Sequence, residues 1–130
     1  MTLQEFFHSR IISFGHAFRG WWSVIRTQQN AWIHAVVTII VFILGLLLHL
    51  PLRDWAVLIV VINMVWMAEF LNTALEAVVD LASPSLHPLA KRGKDIGAAA
   101  VLITALASII VGILILGPPL WLWLVTWFNR

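Results

Sequence analysis

Residues 31–50 read AWIHAVVTIIVFILGLLLHL, twenty consecutive positions with no charge beyond two histidines. At about 1.5 Å per residue, such a run is roughly 30 Å long as a helix, one hydrocarbon thickness. Pro51 ends it, and Arg53 and Asp54 mark a short polar turn. Working outward, residues 55–68 (WAVLIVVINMVWMA) open a second apolar run that continues, with acids inside it, to residue 82. The stretch 83–93, SPSLHPLAKRG, reads as a loop, and a third apolar run extends over 96–116 until Pro118-Pro119 close it. The segment 118–130 carries Trp121, Trp123 and Trp127. Indoles favour the water–lipid boundary, so this segment reads as an interfacial tail.

Composition agrees with three spans at 31–50, 55–82 and 96–116. Of 130 residues, 62% are hydrophobic and 11% charged, whereas a soluble domain carries about 25% charged residues. So few charges cannot cover a water-soluble globule, and disorder needs the opposite composition. The length allows one domain, 1–130. With no cysteine there is no disulfide framework and no thiolate metal site. The pI near 10.0 rests on a net charge of only +2. Most of the cations lie in two local groups, a pattern that suits a membrane surface and argues against a nucleic-acid partner.

Residues 1–28 differ from the spans. Phe7, Ile11, Phe14, Phe18, Trp22 and Ile25 alternate with Arg10, Ser13, His16, Gly20, Ser23 and Arg26 at steps of three and four. That periodicity predicts an amphipathic helix lying on the membrane surface. No signal-peptide pattern precedes the first span. Arg10, Arg19, Arg26, Lys91, Arg92 and Lys94 fall on one side of a three-span topology, and Arg53 and Arg130 on the other. The excess of positive charge puts the N-terminus and the 83–95 loop in the cytoplasm.

Glu69, Asn72, Glu76 and Asp80 are spaced by three, four and four residues. On a helix they share an arc of about 80°. A carboxylate in hydrocarbon costs on the order of 2.5–3.5 kcal/mol. Asp80, nearest the loop, is readily solvated at the headgroups; Glu69, well inside the second span, is not. The stripe therefore faces a protein-lined cleft able to bind a cation or move a proton. It ends where a basic cluster begins: His87, Lys91, Arg92, Lys94 and Asp95. Acids can hold Mg²⁺, which takes carboxylates together with phosphate oxygens; bases and helix N-termini hold phosphates. The juxtaposition suits a metal–nucleotide complex. Neither GxxxxGK(S/T) nor GxGxxG occurs, so a P-loop or Rossmann site is not available. His8, His16, His34 and His49 read as interfacial histidines, and no HExxH spacing supports zinc. Ala100, Thr104, Ser108 and Gly112, each four apart after Gly97-Ala98-Ala99, form a small-residue ladder suited to close helix packing.

The strings EFLNTALEAVVD (69–80) and HPLAKRGKDIGAAA (87–100) closely resemble the signature of the small integral-membrane lipid kinases, the prokaryotic diacylglycerol kinase and undecaprenol kinase family. The resemblance covers nearly the whole chain. RIISFGHAFRG (10–20) looks like the undecaprenol-kinase branch, which favours undecaprenol over diacylglycerol as acceptor. The resemblance implies an all-α, multi-pass homotrimer in the bacterial plasma membrane, with composite active sites at the cytoplasmic interface. MgATP would be the phosphoryl donor and a membrane lipid alcohol the acceptor. By motif match, Glu69 is similar to the catalytic base, Glu76 to a metal-binding acid and Asn72 to the asparagine beside them. Lys94, Asp95 and the stretch Ser85, Leu86, His87 match nucleotide-contacting positions. Arg10 matches a residue on nucleotide or lipid phosphate, and Arg10, Glu69, Asn72 and Ala98 match the lipid-contacting set.

One position departs from the pattern. The family's second metal-binding acid sits before the first span in a Glu-x-Asn context, where this chain has Gln28-Gln29-Asn30. Gln28 offers Mg²⁺ a carbonyl oxygen but no charge, so weaker metal affinity is expected. Two other readings accompany the kinase. Acids inside a span also fit a proton- or cation-conducting protein, and Gln28 alone fits a catalytically impaired accessory subunit.

Overall fold

A computed structural model describes residues 2–85 and 87–129. It is all-helical: α1 spans Leu3–Thr27, α2 Gln29–Leu47, α3 Leu52–Ala82 and α4 Pro88–Phe128. The last three are long and apolar enough to cross a membrane.

The helix ends follow from local chemistry. Thr2 and Glu5 form a reciprocal capping box that opens α1. Gln28 is the single residue between α1 and α2; its extended backbone, with φ −102° and ψ 117°, turns the chain. The end of α2 is a Schellman motif, with Leu50 N–H donating to the Gly45 carbonyl and His49 N–H to that of Leu46. His49 occupies its left-handed position at φ 52°, where glycine is usual. Pro51 follows and cannot continue α2. A Cβ on Gly45 would lie 2.6 Å from the Trp55 ring, so glycine is what lets the α2–α3 turn close.

Several boundaries differ from the sequence expectation. α2 stops at Leu47 and α3 begins at Leu52, so the turn is 48–51; Arg53 and Asp54, expected to mark it, lie in the first turn of α3, where the Asp54 carboxylate suits the helix dipole. Pro88, at the first position of α4, opens the helix inside the expected loop. Lys91, Lys94 and Asp95 are therefore helical. At the other end α4 continues through Pro118 and Pro119 to Phe128. The prolines deprive the Leu114 and Ile115 carbonyls of helical partners, yet their φ is compatible with helix, and membrane helices tolerate proline where neighbouring groups, water or a local change of helical pitch satisfy the freed carbonyls. At 19, 31 and 41 residues, α2, α3 and α4 are about 28, 46 and 61 Å long. Thus α2 matches one hydrocarbon core, while α3 and α4 extend beyond it.

The most extensive packing pairs α3 with α4; α2 lies mainly on α3, and α1 touches α2 and α3 but not α4. Gly97, Thr104, Ser108 and Gly112 are partly buried on α4, alongside buried Val101 and Leu116. The hydroxyls of Thr104 and Ser108 donate to carbonyls of their own helix, so the seam leaves them satisfied. Val24 and Ile25 pack with Ala31, Trp66 and Phe70, tying the end of α1 to α2 and α3. Most large apolar side chains on α2, α3 and α4 face outward. The two largest fully buried side chains are Leu58 and Glu69, each 1% exposed. One of those two is a carboxylate.

Candidate active site

The acidic stripe of α3 meets three different environments. Glu69 turns toward α2, where its Oε2 lies 3.9 Å from Nε2 of His34. One turn on, the Asn72 amide donates to Glu76 Oε1 at 3.0 Å. The Thr73 hydroxyl donates to the Glu69 carbonyl at 2.9 Å and stays within the helix. At the end of α3, Asp80 Oδ1 pairs with Lys94 Nζ at 2.6 Å.

A cavity of about 270 Å³ gathers Gln28, Asn30, His34, Asn72, Glu76 and Ala98. It draws on the α1–α2 hinge and on α2, α3 and α4, so residues 70 positions apart in sequence share one space. The Gln28 side chain makes no capping hydrogen bond and is free to present its carbonyl. Beyond it a wider, open cavity of about 630 Å³ lies between the end of α3 and the start of α4. Asp80, Ser85, His87, Lys91, Lys94 and Asp95 line it. His87 caps α4, its Nδ1 accepting from the Leu89 N–H at 3.2 Å.

Three buried polar atoms stand out near the inner cavity. His34 Nε2, Glu69 Oε2 and Asn72 Oδ1 are buried without hydrogen-bond partners. Each such group costs about 1–3 kcal/mol. No group of three or more His, Cys, Asp or Glu close enough to hold a metal occurs among the described residues. A cation here would have to complete its shell with oxygens from a ligand.

Most positions singled out from sequence converge on these cavities. Asn72, Glu76, Gln28 and Ala98 line the inner one, with Glu69 buried nearby; Ser85, His87, Lys94 and Asp95 line the outer one. Leu86 lies outside the described residues. Arg10 is not brought to either cavity within one chain. Its guanidinium lies 5.3 Å from the Phe6 ring, and α1 has no contact with α4. His34, expected at the interface, lies instead beside Glu69, a proximity that spacing along the chain does not show. The available signal was the pair His34 and Thr38, four apart in an otherwise apolar helix. They turn out to be joined: the Thr38 hydroxyl donates to the His34 carbonyl and accepts from Trp66 Nε1.

The chain is similar in sequence to known proteins. The undecaprenol kinase of Bacillus subtilis is 43% identical over 108 residues, covering 83% of this chain and 88% of that protein. The diacylglycerol kinase of Synechocystis sp. is 44% identical over 111 residues, covering 85% of this chain and 63% of that protein. The diacylglycerol kinase of Escherichia coli strain K12 is 42% identical over 55 residues, covering 42% of this chain and 45% of that protein. Residues 15–116, which take in the inner cavity, all of α2 and α3 and the larger part of α4 with its basic start, match the family described as prokaryotic diacylglycerol kinase, and the chain belongs to that family.

Proposed function

We propose that this protein is a lipid kinase that transfers the γ-phosphoryl group of ATP to the hydroxyl of a membrane lipid alcohol, undecaprenol in preference to diacylglycerol. The observation that carries the reading is the inner cavity, where Gln28, Asn72 and Glu76 meet beside buried Glu69. The relative with the fullest mutual coverage is named an undecaprenol kinase, which favours that acceptor.

Roles follow from the chemistry of the groups. Glu69 accepts the proton of the lipid hydroxyl as that oxygen attacks phosphorus. Asn72, bonded to Glu76, holds its carboxylate in one orientation. Glu76 and Gln28 offer hard oxygen donors on one cavity and would hold Mg²⁺, with phosphate oxygens completing the shell. When bound, Mg²⁺ supplies charge neutralisation on the transferring group. Lys94, Asp95, Ser85, Leu86 and His87 belong to the nucleotide side; Lys94 offsets phosphate charge and is steadied by Asp80. Ala98 leaves room for the acceptor lipid.

The site lies at the cytoplasmic face of the plasma membrane, where a lipid hydroxyl and water-soluble ATP can meet. Glu69 is about 26 Å along α3 from Leu52, near the far edge of one hydrocarbon core. The α1 helix lies along the surface. Arg10 reaches a nucleotide or lipid phosphate from a neighbouring copy in a homotrimer, which also covers outward-facing apolar surface.

The test is phosphate transfer from labelled ATP in mixed micelles, with undecaprenol and diacylglycerol offered in parallel and Glu69→Gln as the blank. Transfer to either lipid above the blank supports the kinase, and the rate ratio names the acceptor. Absence of transfer to both would replace this reading with the impaired subunit, with Gln28 as the first position to revert.

A further inference from the structure

We propose that His34 is a positioning residue for Glu69, its Nε2–H holding one carboxylate oxygen so that the other faces the acceptor hydroxyl. The proposal rests on the reading of Glu69 as the proton acceptor. Its grounds are geometric. His34 and Glu69 are on different helices, α2 and α3, and their side chains are 15% and 1% exposed. The two facing atoms, Nε2 and Oε2, are both buried, both without a partner, and 3.9 Å apart. That separation is longer than a hydrogen bond, and a small rotation of either side chain closes it. Catalytic hydrogen bonds are often long before substrate binds and tighten in the complex.

The imidazole is itself held. The Trp66 ring meets it edge to face with centroids 6.3 Å apart, and Trp66 stacks in turn near Phe70 at 6.0 Å. The Trp66 indole N–H donates to Thr38 Oγ1 at 3.3 Å, and the Thr38 hydroxyl donates to the His34 carbonyl at 2.7 Å. Backbone and ring of His34 are thus tied to the same α3 segment that carries Glu69. A histidine serving only to fill space would need neither an unpartnered nitrogen facing a carboxylate nor this bracing. In this role the imidazole donates through Nε2–H and orients the carboxylate without taking the acceptor's proton. In the transfer step the acceptor O–H bond breaks as its proton passes to Glu69. The freed oxygen bonds to the γ-phosphorus, the bond from phosphorus to the β-phosphate oxygen breaks, and ADP leaves; His34 keeps its proton throughout.

Glutamine and asparagine separate the two ring nitrogens. The glutamine amide nitrogen falls where Nε2 lies, and that of asparagine falls where Nδ1 lies. His34→Leu and His34→Asn are expected to lower kcat by about tenfold or more while KM for ATP and for lipid each move less than about twofold. His34→Gln is expected to return kcat to within about threefold of the parent. Wild-type kcat in His34→Leu overturns the proposal, as does a His34→Gln variant as slow as His34→Asn. Should His34→Leu fail to assemble, the comparison of Gln with Asn decides alone. Glu69→Gln is measured alongside. Full turnover in that variant removes Glu69 as the base, whereas an inactive Glu69→Gln beside a fully active His34→Leu removes only the role of His34.

Discussion

Gly97 of α4 lies directly against the side chain of Asn72 on α3, so close that a Cβ at position 97 would overlap the Asn72 carbonyl oxygen. That same Cβ would also come within 3.1 Å of Leu75. The absence of a side chain at one residue of α4 therefore sets where the Asn72 amide can sit, and with it the hydrogen bond to Glu76. Gly97→Ala is expected to push Asn72 away and release Glu76. Hydrogen bonds to charged groups contribute about 1.5–3 kcal/mol, so turnover should fall about tenfold or more. Steady-state kinetics on the purified variant checks this; unchanged kcat would mean that the Asn72–Glu76 contact has no part in the reaction.

Gln28→Glu adds a carboxylate to the inner cavity opposite Glu76. Mg²⁺ prefers charged oxygen donors, so the Mg²⁺ concentration for half activity should drop about three- to tenfold. A Mg²⁺ titration at fixed ATP reads this out. An unchanged midpoint would place Gln28 outside the metal shell.

Asp80→Asn removes the partner of Lys94. The pair is largely in water, with side chains 64% and 36% exposed. Such pairs contribute less than about 1 kcal/mol to stability, so thermal unfolding should shift little. The ammonium, no longer held, should bind phosphate less well, raising KM for ATP about threefold with kcat nearly unchanged. An ATP titration distinguishes this from a purely structural pair, which would leave KM where it was.

His49→Gly relieves a side chain held at φ 52° at the end of α2. Its side chain is exposed, so no packing is lost. A left-handed conformation costs an L-residue about 1–2 kcal/mol, partly offset by the greater freedom glycine has when unfolded. The variant should be more stable by about 0.5–1 kcal/mol, seen as a rise of a few degrees in Tm in detergent. A lower Tm would show that the His49 side chain makes a contact beyond the single chain.

How much was legible in the sequence differs by residue. Uninterrupted apolar runs could only be membrane helices, because backbone polar groups in hydrocarbon must bond within the helix. The three- and four-residue spacing of Glu69, Asn72, Glu76 and Asp80 put them along one helix side, since 3.6 residues per turn admits nothing else. Likewise the acids and the bases around Lys94 had to lie at one end of the second and third spans. Helix ends escape this reasoning, and Arg53 and Asp54, polar enough to suggest a turn, begin α3 instead. Pro88 reads by composition as loop, yet its fixed φ suits the first helical turn it occupies. Pro118-Pro119 read as a stop, yet α4 continues through them.

Periodicity assigns a side chain to a face of its own helix but says nothing of which neighbour that face meets. Only the tertiary structure decided that Glu69 turns to His34 while Asp80, on the same helix, reaches Lys94. It alone decided that Gln28, from a one-residue hinge, shares a cavity with Glu76 and Ala98. These pairings depend on how closely α4 approaches α3, which Gly97 permits, and on where the α2–α3 turn closes, which Gly45 permits. Close approach is a property of two surfaces together, and no run of residues on one helix contains it.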